Sequence, residues 1–169
     1  DFTQLCMTLG SYMLIAGGKA KEEEEARNML QEVIANGSAL RKLEAFIQAQ
    51  GGNPAAVHQP ALLPKAAMVE EITAPQTGFV EKIDCEEIGI CSLLLGGGRE
   101  TNESEIDLSV GLILHKKAGD YVEAGESLAT IHANDRQKLM MAKERFLKAY
   151  HMTPQRVAKR PLIKGLVTE

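Results

Sequence analysis

No apolar run in this 169-residue chain approaches the length of a membrane helix. Stretches such as Met13–Ala16 and Leu93–Leu95 fall far short of the roughly 20 residues that a bilayer demands. No membrane partner is expected. Basic residues are not gathered anywhere either: the net charge is -4, the pI is near 5.7, and lysines and arginines are interspersed with acids. A phosphate-backbone footprint is therefore missing, which removes nucleic acid from the expected partners. At the amino end no basic stretch is followed by an apolar one and a small-residue cleavage site, so no secretory signal is read and a cytoplasmic location is expected. Cysteine is scarce and odd in number, and Cys85 and Cys91 stand at neither metal-finger nor CxxC spacing. Cys6, Cys85 and Cys91 are read as reduced thiols in a cytosolic core.

What is present is enough to fold. At 44% hydrophobic residues the chain can bury a core, as one domain or two small ones. Phe2, Leu5, Leu9, Tyr12 and Ala16 recur at helical spacing from the first residues, with Asp1 placed as an N-cap. An amphipathic helix that begins at once, without an initiating methionine, reads as the cut end of a longer chain. A second helix is predicted over Lys21–Asn36, its acidic start Glu22–Glu25 matched to the positive end of the helix dipole rather than to a metal. Gly37 closes it, Ser38 caps a third, and Leu40, Leu43 and Ile47 repeat before Gly51 and Gly52. The three helices, residues 1–52, form an antiparallel layer in this reading, and the proline-punctuated stretch 53–64 is a linker.

Residues 65–169 read as a mixed domain. Strands are expected over Lys65–Thr73 and Gly78–Ile83, around the turn signal APQTG. Asp84 and Glu87 stand at the two positions of a capping box, ahead of a helix ended by Gly96-Gly97-Gly98. That triplet follows a helix instead of opening one, so no helix N-terminus turns its amides toward an anion, and a tight backbone passage is the reading. Arg99 after it is read first as a structural ion pair, and as the one candidate for a cleft-facing ligand contact in the alternative. Ile106–His115 alternates like a strand. Tyr121-Val122 makes a very short strand between the glycine turns of KKAGD and EAGES, and Leu128–His132 completes the ladder.

That last rhythm is similar to the hairpins of biotinyl and lipoyl carrier domains. The attachment lysine is missing from its setting: Met68 is followed by Val69, Met140-Met141 by Ala142 in a predicted helix, and Lys116-Lys117 precedes Gly119-Asp120 at a strand end. A non-catalytic carrier-like or interaction module remains the alternative reading. His58, His115, His132 and His151 are not spaced as ligand pairs, although His115 and His132 are expected near one another across the ladder. No metal site is expected.

A larger resemblance spans essentially the whole chain. The segments MTLGSYM, EVIANGSAL, FIQAQGGNPAAV, the run from IGICSLLLGGGR through IDLSVG to HKKAGDYVEAGESLATIHAN, and PLIKGLVTE resemble, in order and spacing, the carboxyl-terminal part of pyrimidine-nucleoside phosphorylases. The resemblance implies an α/β (α+β) fold: a helical part of a large α/β domain, then a hammerhead-like unit with a barrel-sandwich element. It implies pentosyl transfer by reversible phosphorolysis of uridine, thymidine or deoxyuridine, with phosphate as co-substrate and no cofactor. It also implies a homodimer, and an amino-terminal part of the same protein that holds the phosphate and pyrimidine contacts. On that basis no catalytic residue is assigned here, and Arg99 is the only substrate-side candidate.

Overall fold

The computed structural model describes residues 1–99, 101–159 and 161–167. By its contacts the chain divides into two units, Asp1–Leu62 with Pro161–Glu169, and Leu63–Arg160. Sequence reading ran the second domain to residue 169; the contacts group the closing segment with the helices.

The first unit contains α1 (Phe2–Ala16), α2 (Glu23–Ala35) and α3 (Ser38–Ala49), followed by single 3-10 turns at Pro54–Val57 and Pro60–Leu62 in the stretch read as a linker. Asp1 caps α1 by accepting from the Phe2 amide, and Glu23–Glu25 occupy the first turn of α2. The third cap differs from expectation. Gly37, with φ of 75°, takes the N-cap position of α3, and the Ser38 hydroxyl donates instead to the Val33 carbonyl of the preceding helix. The apolar stripe of α1 also departs from expectation: Phe2, Leu9 and Met13 are exposed, while Ser11 is fully buried and satisfies its hydroxyl on the Met7 carbonyl. The contact with α2 runs over small residues, since a Cβ on Gly10 would lie 3.0 Å from Leu30 Cδ1.

The second unit holds two antiparallel three-stranded sheets, ordered β1-β5-β3 and β4-β2-β6, neither closed into a barrel. Its elements are β1 (Met68–Thr73), β2 (Gly78–Ile83), α4 (Cys85–Ser92), a π turn (Leu93–Gly97), β3 (Gly111–Leu114), β4 (Tyr121–Val122), β5 (Ser127–Ala133), α5 (Arg136–Ala149) and β6 (Tyr150–Thr153). The mixed α/β class stands. Ile72, Val80, Val122, Leu128, Ile131, Leu139 and Phe146 are fully buried at its centre, and Phe146 stacks on Tyr150 with ring centroids 4.6 Å apart. Cys91 lies in this core with its thiol toward the Ala142 carbonyl, and burial raises its pKa. Cys6 and Cys85 are exposed, contrary to the reading of all three as core residues.

Several strand expectations are corrected by local hydrogen bonding. β1 starts at Met68 rather than Lys65, because the Ala67 amide is taken by the Asn134 side chain. β3 starts at Gly111 rather than Ile106, because Asp107 accepts from both the amide and the hydroxyl of Ser109 and turns the chain. The short strand Tyr121-Val122 forms, but it joins β2 in the other sheet while β3 pairs with β5. The carrier-like ladder read from sequence is thus split between two sheets. β6 has no counterpart in the sequence reading; it pairs with β2, whose Gly78 has no room for a side chain because a Cβ there would meet the Thr153 carbonyl oxygen at 2.7 Å.

The capping box at α4 does not form. Asp84 occupies the N-cap position without a side-chain capping bond. Its carboxylate is engaged by Lys82 at 2.5 Å and His151 at 2.7 Å, which hold its pKa below the usual carboxylate range. Glu87 faces Arg145 on α5, accepting from Nε at 2.5 Å and Nη2 at 3.2 Å. The local cap loses to side-chain partners: Lys82 and Arg145 give these carboxylates charge-assisted hydrogen bonds, and His151 adds a further hydrogen bond to Asp84.

Candidate functional site

The segment between the π turn and β3 carries Arg99. The helical run ends as Gly96 turns to φ of 105°, a conformation that side chains rarely adopt. Beyond it, the described residues from Gly98 to Val110 form no helix or strand; Glu100 lies outside the described residues. Arg99 is exposed. No hydrogen bond or ion pair holds it among the described residues, so the ion-pair reading finds no partner there. Within the loop, the Ser104 amide donates to the Thr101 carbonyl at 3.1 Å, and the Thr101 amide donates to Ser104 Oγ at 3.0 Å.

The loop is closed at its base. The Asp107 amide donates to the Gly96 carbonyl at 2.9 Å, so the two ends of the excursion meet. The Asp107 carboxylate accepts from the Ser109 hydroxyl at 2.6 Å, the Ser109 amide at 2.9 Å and Asn134 Nδ2 at 2.7 Å. Those bonds, led by the Ser109 hydroxyl, hold its pKa below the usual range. Asn134 follows β5 directly and accepts the Ala67 amide at 2.7 Å, while its Nδ2 also reaches Ser109 Oγ at 2.8 Å. Sequence reading assigned no role to Asp107 or Asn134. The spacing Asp107-x-Ser109 is the local signal for such a turn; nothing local points to Asn134.

The histidines do not converge on one site. His58 pairs with Glu44 in the helical unit, and His151 with Asp84 in the sheet unit. His115 bonds Thr130 Oγ1 at 2.7 Å and lies 3.8 Å from Glu71 on the outer face of the first sheet. His132, opposite Val69 and Gly111 on the same face, has a buried Nε2 without a partner among the described residues. Hydrogen bonds from Ser127 and Thr130, with smaller contributions from both histidines, lower the pKa of Glu71. His115 and His132 therefore share a face and a carboxylate neighbour rather than a ligand set; among the described residues no group of His, Cys, Asp or Glu could hold a metal ion.

Lys116, the nearest analogue of a carrier lysine, pairs with Glu126 and donates to the Tyr121 carbonyl at 3.3 Å. Asp120 accepts from the Lys117 amide and from Lys159 Nζ at 2.6 Å, which lowers its pKa chiefly through Lys159. These turns are pinned by their own charges. An apolar pocket of roughly 420 Å³ lies beside Ile83, Cys85, Ile88 and Leu114, and in the helical unit a groove of roughly 580 Å³ runs along Thr8, Tyr12 and Arg27. Neither includes Arg99.

With this geometry in hand, the similarities of the chain fall into place. Residues 79–153 match the family described as pyrimidine nucleoside phosphorylase C-terminal domain. The chain is 50% identical over 134 residues to a pyrimidine-nucleoside phosphorylase of Staphylococcus haemolyticus, covering 79% of this chain and 31% of that protein. It is 46% identical over 137 residues to the pyrimidine-nucleoside phosphorylase of Geobacillus stearothermophilus, covering 81% and 32%, and 47% identical over 134 residues to that of Staphylococcus aureus strain USA300, covering 79% and 31%. The chain thus matches the carboxyl-terminal part of pyrimidine-nucleoside phosphorylases, and it spans about a third of the length of these curated relatives. No helix among the described residues is long and apolar enough to cross a membrane.

Proposed function

We propose that this chain is the carboxyl-terminal part of a pyrimidine-nucleoside phosphorylase. The complete enzyme would transfer a pentose reversibly between a pyrimidine base and phosphate: phosphate attacks the anomeric carbon of uridine, thymidine or deoxyuridine, the C–N bond breaks, and the base leaves as the pentose 1-phosphate forms. The observation that carries this reading is the 46–50% identity over about four fifths of the chain to proteins of that name. Phosphate is the co-substrate and no cofactor is required. The groups that bind phosphate and stabilise the leaving pyrimidine belong to the amino-terminal part, and this chain supplies structure, with Arg99 as its one substrate-side candidate. A homodimeric, cytoplasmic enzyme is the accompanying reading.

The reaction needs phosphate and nucleoside held in attack geometry away from water. In this proposal the Gly96–Glu103 loop approaches the cleft, bringing Arg99 toward anionic substrate; what supports it is the cation's lack of a partner among the described residues. The alternative of a prosthetic-group carrier draws no support from Lys116, whose ammonium is already committed to Glu126.

The test is phosphate-dependent release of uracil or thymine, measured with this chain alone and with the amino-terminal part added. Activity only on addition is expected. Activity of the chain alone would overturn the assignment of catalysis upstream, and inactivity of an assembled complex would overturn the phosphorylase reading.

A further inference from the structure

We infer that Asp107 and Asn134 are positioning residues that fix the root of the Arg99 loop. The inference rests on the reading that this loop faces the substrate cleft, and it adds the residues through which the loop is held there. The chain leaves the π turn at Gly96 and re-enters the fold at Asp107, and among the described residues the backbone bond across that base runs from the Asp107 amide to the Gly96 carbonyl. Gly96, at φ of 105°, opens the segment in a conformation that glycine adopts more readily than other residues. One backbone bond, from Asp107 to that glycine, defines the loop's direction less firmly than side-chain bonds beside it would.

The Asp107 side chain supplies such bonds. Asn134 is anchored because its oxygen accepts the Ala67 amide at the start of β1, which obliges its amino group to face Asp107 and Ser109. The loop root is therefore bonded, through one amide side chain, to the ends of two paired strands, β1 and β5. The ladder itself does not need this link. Pairing of β3 with β5 begins at Gly111 and proceeds through Leu112, Ile113 and Leu114 by backbone bonds. What Asp107 and Asn134 add is the placement of the excursion between Gly96 and Asp107, with Leu108, 80% exposed, on the turn that follows it. A carboxylate that accepts three hydrogen bonds and an asparagine with both ends occupied form a rigid joint, and truncating Asn134 removes one of the three bonds to Asp107 together with the acceptor of the Ala67 amide.

The test uses the complete phosphorylase and the variants Asn134→Ala, Asp107→Asn, Arg99→Ala and the Arg99→Ala/Asn134→Ala pair. Kinetics with phosphate and uridine are read beside hydrogen exchange of the 97–106 segment. Asn134→Ala is expected to lower kcat/KM by about tenfold, the scale on which a small misplacement of a contact group acts. Exchange in 97–106 should accelerate while β3 and β5 keep their protection. The pair should be no worse than Arg99→Ala alone, because the joint acts only through the loop. If Arg99→Ala is impaired but Asn134→Ala changes neither kinetics nor exchange, the joint is refuted and the cleft-facing loop stands. Additive losses in the pair would also refute it, by showing that Asn134 acts elsewhere. If Arg99→Ala leaves turnover and both substrate constants unchanged, the loop reading fails and the inference with it. Should Asn134→Ala not fold, Asp107→Asn, which keeps the side-chain shape while weakening the joint, carries the same comparison.

Discussion

The helical unit and the sheet unit of this chain use similar amphipathic sequence to different ends. In the sheet unit the apolar residues close on one another: Ile72, Val80, Leu128, Ile131, Leu139 and Phe146 lose all contact with solvent. In the helical unit only Ser11, Ala20 and Ala26 are buried among the described residues, while Met13, Phe46 and Ile34 stay largely exposed. Periodicity tells which face of a helix seeks cover, and not whether the cover is within the same unit. Burial at about 25 cal/mol per Å² stabilises only the surface actually removed from water, so these helices gain far less than their pattern offers.

The strongest way to break the comparison is to separate the units. Residues 63–160 alone are expected to unfold cooperatively in denaturant, and residues 1–62 alone to give a shallow, weakly cooperative transition, measured by far-ultraviolet circular dichroism. A sharp transition for the helices alone would show that the exposed apolar faces do not limit their stability. Next in size, Phe146→Ala should cost about 3–5 kcal/mol because the fully buried ring leaves a cavity beneath Tyr150. Phe46→Ala, at a side chain 62% exposed on α3, should stay within about 0.5 kcal/mol. Equal losses at the two phenylalanines would erase the distinction.

Gly96→Ala comes next, at about 1–3 kcal/mol, since a side chain must be held at φ of 105°. Tyr150→Phe should cost about 1 kcal/mol by removing the bond from its hydroxyl to the Lys116 carbonyl at 2.8 Å. Burial pushes the Tyr150 phenol up from 10.0 to about 12. The folded state therefore holds the proton more tightly, and this stabilisation is complete below about pH 10 and lost as pH rises through about 12. Alkaline melts of the wild type and Tyr150→Phe should diverge in that window; parallel curves would contradict the assigned burial. The smallest effect is expected at His132→Val, neutral or stabilising by about 1 kcal/mol, because it removes a buried nitrogen without a partner among the described residues.

Local signals in the sequence located most of the elements and missed several of their partners. The three helices, the Gly78–Ile83 strand, the two-residue strand at Tyr121 and the family resemblance were all legible, because periodicity, glycine turns and ordered motifs are properties of neighbouring residues. Arg99 could be singled out only by its place after the glycine triplet. Asp84 and Glu87 looked like a capping box until Lys82, His151 and Arg145 claimed them. Likewise, Ile106–Val110 alternated like a strand, yet the Asp107 carboxylate captured the Ser109 amide and turned it.

By itself, then, the sequence determined helix and strand type, the glycine turns and the phosphorylase resemblance, since each is written in residues close together or in motif order. Only the tertiary structure decided that the short strand joins a different sheet from its neighbours, that β6 completes that sheet, and that Asn134 ties Asp107 to Ala67. Those outcomes depend on hydrogen-bonding groups separated by tens of residues, whose competition for a partner is settled when the chain folds and buried polar groups must be paired.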